Sequence, residues 1–304
     1  MAFLRKRETP VQNIAYVGIM AAINVVFVLI SSLLPILFIL LVFILPLTSV
    51  IVTIYCKKIY FPIYFVTTMA LCLAVTAGFS VFDTFIYVLP SLITGFIFGF
   101  LVEKNVPAIY ILVINSIAQF LLIYLTFLFI DNIIGSINLF NSIYNMIGLE
   151  NFQYKGFLTN IFTYIVAQMQ ITLTYILVKY EVSRICIELN LEIKNRLFMY
   201  LLVLIGLILA ITSVFYFPEA TIILTLIVVP IVIFELIELL LKKSILVYVL
   251  IGVTLIASMF IFAFLYQFIP KPNELVLIYV FFVSITIIDI FANYCFKTKV
   301  KNIQ

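Results

Sequence analysis

The sequence has no histidine and no tryptophan, and only 10% of its 304 residues are charged. Each scarcity excludes something. Without histidine there is no Ser-His or Cys-His nucleophile pair and no His-ligated metal site. With so few charges, against about 25% in an ordinary soluble domain, the chain lacks the polar surface that a water-soluble fold needs. Cys56, Cys72, Cys186 and Cys295 have no CxxC spacing. None falls on the outer side of the topology argued below, so free thiols and no disulfide are expected. No G-x-S-x-G, H-E-x-x-H or G-x-x-x-x-G-K-S/T motif occurs. No enzyme, no ATPase, no cofactor and no metal site are expected.

What is there is hydrocarbon. The apolar set makes up 66% of the chain, where about 45–50% is usual. A soluble enzyme, a nucleic-acid-binding domain and a disordered scaffold are excluded. The expected class is an all-α membrane protein in contact with the lipid bilayer. The net charge of +4 does not point to nucleic acid; what matters is where the positive charges lie. With tryptophan absent, 18 tyrosines and 31 phenylalanines supply any interfacial belt.

A spanning helix takes roughly 20 apolar residues at about 1.5 Å each. Runs of that length cover 13–34, 35–56, 59–78, 81–101, 106–130, 157–178, 197–217, 221–241, 244–269 and 275–296. The first two form one unbroken run of 44 residues. At roughly 66 Å it is twice the hydrocarbon thickness, so it must turn back. The turn is expected at Ser31, Ser32 and Pro35, because proline disfavours a continuing helix. The N-terminal run is too long for a removable signal peptide and lacks a small-residue cleavage site.

Lysine and arginine set the orientation. With the N-terminus inside, the inner segments are 1–12, 57–58, 102–105, 179–196, 242–243 and 297–304. They hold fifteen of the seventeen basic residues, and only Lys155 and Lys271 fall outside. That bias supports ten helices in the cell membrane with both termini cytoplasmic. Segments 131–156 (outer) and 180–196 (inner) show amphipathic helical spacing. The inner one divides the chain into a six-helix domain (1–180), a cytoplasmic linker (181–196) and a four-helix domain (197–304).

Three kinds of residue are candidates for a role. Small residues at four-residue spacing let helices approach closely. Gly18 and Ala22 do so in the first run, Ala70 and Ala74 in the third, and Ser91, Gly95 and Gly99 in the fourth. Each stripe serves either packing inside the bundle or contact with a partner. Acids in hydrocarbon are costly and face an interior or a cavity. Glu235 and Asp289 form a candidate inner-leaflet polar site, with Glu238 closer to the surface beside Lys242. Asp83 stands at the outer mouth of the fourth run. Uncharged polar residues collect in the fifth and sixth runs, at Asn115, Ser116, Gln119, Asn160, Thr163, Gln168, Gln170, Thr172 and Thr174. They make either interhelical hydrogen bonds or the wall of a substrate cavity. The candidate substrate-binding set is Asp83, Asn115, Gln119, Asn160 and Gln168.

The first 180 residues resemble the substrate-binding S components of energy-coupling factor transporters. The resemblance rests on six N-in, C-in helices, on Asn13-Ile-Ala-Tyr-Val-Gly-Ile-Met-Ala-Ala22, and on Leu89-Pro-Ser-Leu-Ile-Thr-Gly-Phe-Ile-Phe-Gly99. It implies that small residues of the first helix, here Gly18 and Ala22, pack on a transmembrane coupling subunit served by separate ATPases. It also implies that outer loops close over a vitamin or a metal ion as cargo. Four extra helices and the ending Ile287-Ile-Asp-Ile-Phe-Ala-Asn-Tyr-Cys-Phe-Lys297 are similar to the YybS-like bacterial integral membrane proteins. The expected function is a transport component that binds a small molecule from outside and relies on partner subunits for energy. The alternatives are a non-transporting scaffold or regulator of envelope or division machinery, and a lipid-acting protein using Glu235 and Asp289.

Overall fold

The computed structural model describes residues 6–33, 38–78, 84–134, 155–183, 196–216, 218–241, 245–266 and 278–301. Ten α-helices run through them: α1 (Pro10–Leu33), α2 (Phe38–Tyr55), α3 (Phe61–Thr76), α4 (Leu89–Glu103), α5 (Ala108–Ile134), α6 (Lys155–Ser183), α7 (Arg196–Tyr216), α8 (Pro218–Leu241), α9 (Ile245–Tyr266) and α10 (Ile278–Lys301). There is no strand among the described residues. Each apolar run of the sequence falls on one of these helices, in order. Pro10 and Pro62 occupy the first turns of α1 and α3, where proline is tolerated. Among the described residues, four stretches are long and apolar enough to cross a membrane: Pro10–Leu33, Lys58–Thr76, Thr84–Glu103 and Ala108–Thr126.

One local expectation is corrected. Ser31 and Ser32 do not turn the chain; they lie in α1, which runs on to Leu33. Their hydroxyls each donate back to Val28 O at 2.9 Å, and that bond lets a serine stay inside a helix. Pro35 and Asp83 lie outside the described residues, as do 135–154 and 184–195, most of the two amphipathic segments. Helices also outrun the apolar stretches, α5 reaching Ile134 and α6 reaching Ser183.

The chain divides into two compact units, Met1–Phe152 with Phe162–Glu192, and Gln153–Ile161 with Ile193–Gln304. In the first, α2 packs along α4, α1 against α3 and α2, and α4 against α5. A buried knot ties three of these helices. Asn24 Nδ2 donates to Tyr64 OH at 2.7 Å, and Thr48 Oγ1 donates to Asn24 Oδ1 at 2.7 Å. At one end, Asn13 Oδ1 accepts from Lys57 N at 2.9 Å, and Glu103 pairs with Lys58 at 2.9 Å and Lys6 at 3.4 Å. In the second unit, α7, α8 and α10 pack on one another and α9 lies against α10. Gly206 permits a close α7–α8 approach, since a Cβ there would stand 2.6 Å from Val228 Cγ2.

Candidate functional site

Six uncharged polar side chains are buried inside the first unit. Ser91 comes from α4, Asn115, Ser116 and Gln119 from α5, and Gln168 and Gln170 from α6; all six are buried. Positions 115 and 119 are one turn apart, so they share a face of an otherwise apolar helix. The hydrogen bonds fix which way three of the amides point, those of Asn115, Gln119 and Gln170. Ser91 Oγ donates to Tyr87 O at 2.5 Å, a carbonyl that can only accept. It therefore accepts from Gln170 Nε2, at 2.6 Å. Gln170 Oε1 in turn accepts from Gln119 Nε2, which turns Gln119 Oε1 away from both. Asn115 is anchored in the same manner, its Nδ2 donating to Ile111 O at 2.8 Å. Ser116 Oγ donates to Gln168 Oε1 at 3.3 Å.

This accounting leaves a remainder. Asn115 Oδ1, Gln119 Oε1 and Gln168 Nε2 are buried without a hydrogen-bond partner in the protein. An unmet buried polar group is destabilising by about 1–3 kcal/mol, so a cluster of three needs a reason. Aromatic rings flank it. Phe120, next to Gln119, and Tyr164, one turn before Gln168, meet edge-on with centroids 6.4 Å apart. Thr163 is buried on α6, and Thr174 Oγ1 bonds back to Gln170 O at 2.8 Å. Asn160 belongs to α6, but its side chain lies outside the described ones.

The acids come together in the second unit. Asp289 on α10 and Glu235 on α8 are both buried. Asp289 Oδ2 accepts from Tyr200 OH of α7 at 2.8 Å and from Asn293 Nδ2 at 2.9 Å. Asn293 Nδ2 also reaches Tyr200 OH at 3.1 Å. Glu235 Oε2 accepts from Thr286 Oγ1 at 2.8 Å. Thr286 precedes Asp289 by three residues, so both acids stand within about one helical turn along α10. Asn293 lies one turn beyond Asp289 on α10. Tyr200 and Thr286 were missed, as was the polar part played by Ser91. A tyrosine or threonine in a membrane-type helix gives no signal of where it points; only the neighbouring helices decide that.

The small-residue stripes divide sharply. In α4 they are packing. A Cβ on Gly95 would lie 2.5 Å from Pro46 O of α2, and one on Gly99 would lie 2.7 Å from Thr53 Cβ. Ser49 Oγ closes the seam by donating to Leu92 O at 2.7 Å. In α1, Gly18 and Ala22 are exposed, and a Cβ on Gly18 would meet nothing within 4 Å. Ala70 and Ala74 of α3 are exposed too.

Among the described residues no group of His, Cys, Asp and Glu is placed to hold a metal ion, and Cys56 and Cys72 are free thiols. Comparisons with protein-family models, curated proteins and solved structures find no match to the chain.

Proposed function

We propose that the chain is the substrate-binding component of a membrane transport system, of the S-component type, taking its energy from partner subunits. On this reading it crosses the cell membrane ten times with both termini in the cytoplasm. A small molecule entering from the outer side is held in the first unit by Asn115, Gln119 and Gln168. One observation carries the reading: amide atoms on two helices of the first unit are buried and unmet. Packing alone gives no reason to keep such atoms, whereas a ligand that pairs with them does. The exposed Gly18–Ala22 face of α1 supports a coupling subunit as partner, since small residues let another helix come close. Glu235 and Asp289 form a second polar site in this reading, able to share a proton or a cation.

The exposed α1 face equally favours the second reading, a scaffold for envelope or division machinery. Recovery of partners from membranes in mild detergent separates the two. The transport reading predicts an ATPase pair together with a membrane coupling subunit. Recovery of cell-envelope proteins alone contradicts it and supports the scaffold.

A further inference from the structure

We propose that the basic end of the first unit, built from Lys6, Arg7, Lys57, Lys58 and Lys104, binds an anionic phospholipid. This rests on the membrane-spanning reading above, with that end in the cytoplasm, and goes beyond the transport role. Three stretches of chain far apart in sequence supply the five cations, and specific contacts tie them together. Arg7 N donates to Tyr55 O at 2.8 Å. Asn13 bridges the same two stretches, its Nδ2 donating to Arg7 O at 3.4 Å and its Oδ1 accepting from Lys57 N at 2.9 Å. Glu103 joins the third stretch by pairing with Lys58 at 2.9 Å and with Lys6 at 3.4 Å. Lys58 and Lys104 both lie over the Phe100 ring, their Nζ atoms 4.3 and 4.4 Å from its centroid. The two ammonium groups thus stand within about twice that distance of each other.

The acids here are too few to neutralise the bases. Glu8 and Glu103 are the only carboxylates in stretches 6–13, 55–61 and 100–107, against five cations. Glu103 pairs with Lys6 and Lys58, while Lys57 and Lys104 are exposed and have no carboxylate partner among the described residues. An excess of cations at the inner surface attracts anionic lipid, each Lys or Arg strengthening binding by about fivefold. Apolar surface starts at the same place. Ile59 follows Lys58 directly, and Ile63 and Val66 share one face of α3; all three are exposed. Val11 and Ile14, in the first turns of α1, are exposed as well. Cations at the end of an exposed apolar face match a molecule with a phosphate at one end and acyl chains at the other. A free phosphate would use the cations and leave the apolar face bare, so lipid is the source assigned.

The test titrates the full chain in detergent micelles and counts bound lipid by native mass spectrometry. Three probes are used: dioleoyl phosphatidylglycerol, dioleoyl phosphatidylcholine with the same chains and no net charge, and glycerol 3-phosphate with no chains. Phosphatidylglycerol is expected to bind at least about tenfold more tightly than phosphatidylcholine. Glycerol 3-phosphate at equal concentration should not displace it. Lys57→Gln combined with Lys104→Gln removes the two cations that have no carboxylate. The pair should weaken phosphatidylglycerol binding about 25-fold and leave the melting temperature of the lipid-free chain within about a degree. Lys242→Gln combined with Lys243→Gln removes the same charge elsewhere in the chain and should leave the affinity unchanged. Equal binding of the two lipids overturns the inference, and so does an equal loss in both double variants. Displacement by glycerol 3-phosphate makes this a free-phosphate site and overturns the lipid assignment. A Lys57–Lys104 double variant that keeps its lipid but loses a copurifying protein makes the patch a protein-docking surface, which overturns it too. The probe comparison uses the unaltered chain, so it decides even if that double variant fails to fold. Orientation is read separately, by labelling Lys58→Cys in intact cells. A silent lipid series with labelling only after permeabilisation removes the lipid site and leaves the membrane reading. Phosphatidylglycerol selectivity with labelling from outside does the reverse.

Discussion

Asp289 and Asn115 are both polar groups buried in apolar helices, yet their surroundings differ in kind. Asp289 Oδ2 receives two donated bonds, from Tyr200 and Asn293, and Glu235 lies within reach of the same turn through Thr286. Asp289→Asn keeps the shape and removes the ionisable group. Loss of activity in a deletion-complementation assay is expected, with membrane abundance near normal; Glu235→Gln should act alike. Full activity of Asp289→Asn beside an unstable Asp289→Leu would make the residue a structural hydrogen-bonding group. Tyr200→Phe removes one donor to a carboxylate, an interaction worth about 1.5–3 kcal/mol, and should lower the melting temperature measurably. The sequence could mark Asn115, Gln119, Gln168, Glu235 and Asp289 because burying an amide or an acid in hydrocarbon is costly. It could not mark Tyr200, Thr286 or the polar role of Ser91. Hydroxyls are cheap in a helix, where they bond back to their own backbone, so their interhelical role has no trace in composition.

Two helices with the same four-residue spacing of small residues turned out to have opposite environments. In α4 the spacing brings backbone against α2, and Gly95 and Gly99 have no room for a side chain. In α1 the spacing faces out of the unit, with Gly18 in open space. Spacing belongs to one helix, whereas burial needs a second, and only the first was legible in the sequence. Gly99→Leu is expected to force α2 and α4 apart, an overpacking penalty of at least about 1–3 kcal/mol. Gly18→Leu is expected to leave the melting temperature of the purified chain within a degree or so, given the small effect of substitutions at exposed positions, while reducing partner recovery. Equal destabilisation of the two variants in a detergent melting series would contradict this division. So would unchanged partner recovery with Gly18→Leu.

For the molecule as a whole, the ten apolar runs were readable as helices because a chain with 66% apolar residues has to satisfy its own backbone wherever water is absent. How those helices group was less legible. The segment Gln153–Ile161, which takes in the beginning of α6, clusters with the second unit and the rest of α6 with the first, a division that no composition shift announces. The proposed orientation makes its own prediction. Cysteines introduced at Asn138 and Pro272 should react with an impermeant reagent on intact cells, and those at Lys58, Lys194 and Lys299 only after permeabilisation. Outside labelling at Lys58 or Lys194 would break the ten-span topology.

The proposed function is that this chain binds a small molecule from the outer side and relies on partner subunits for energy. The most direct measurement places a photo-crosslinking amino acid at Ala22, on the exposed face of α1, and irradiates intact membranes. The account predicts an adduct with a membrane coupling subunit that brings an ATPase pair with it, lost in Gly18→Leu. Adducts confined to lipid, or to envelope and division proteins with no ATPase, would contradict it.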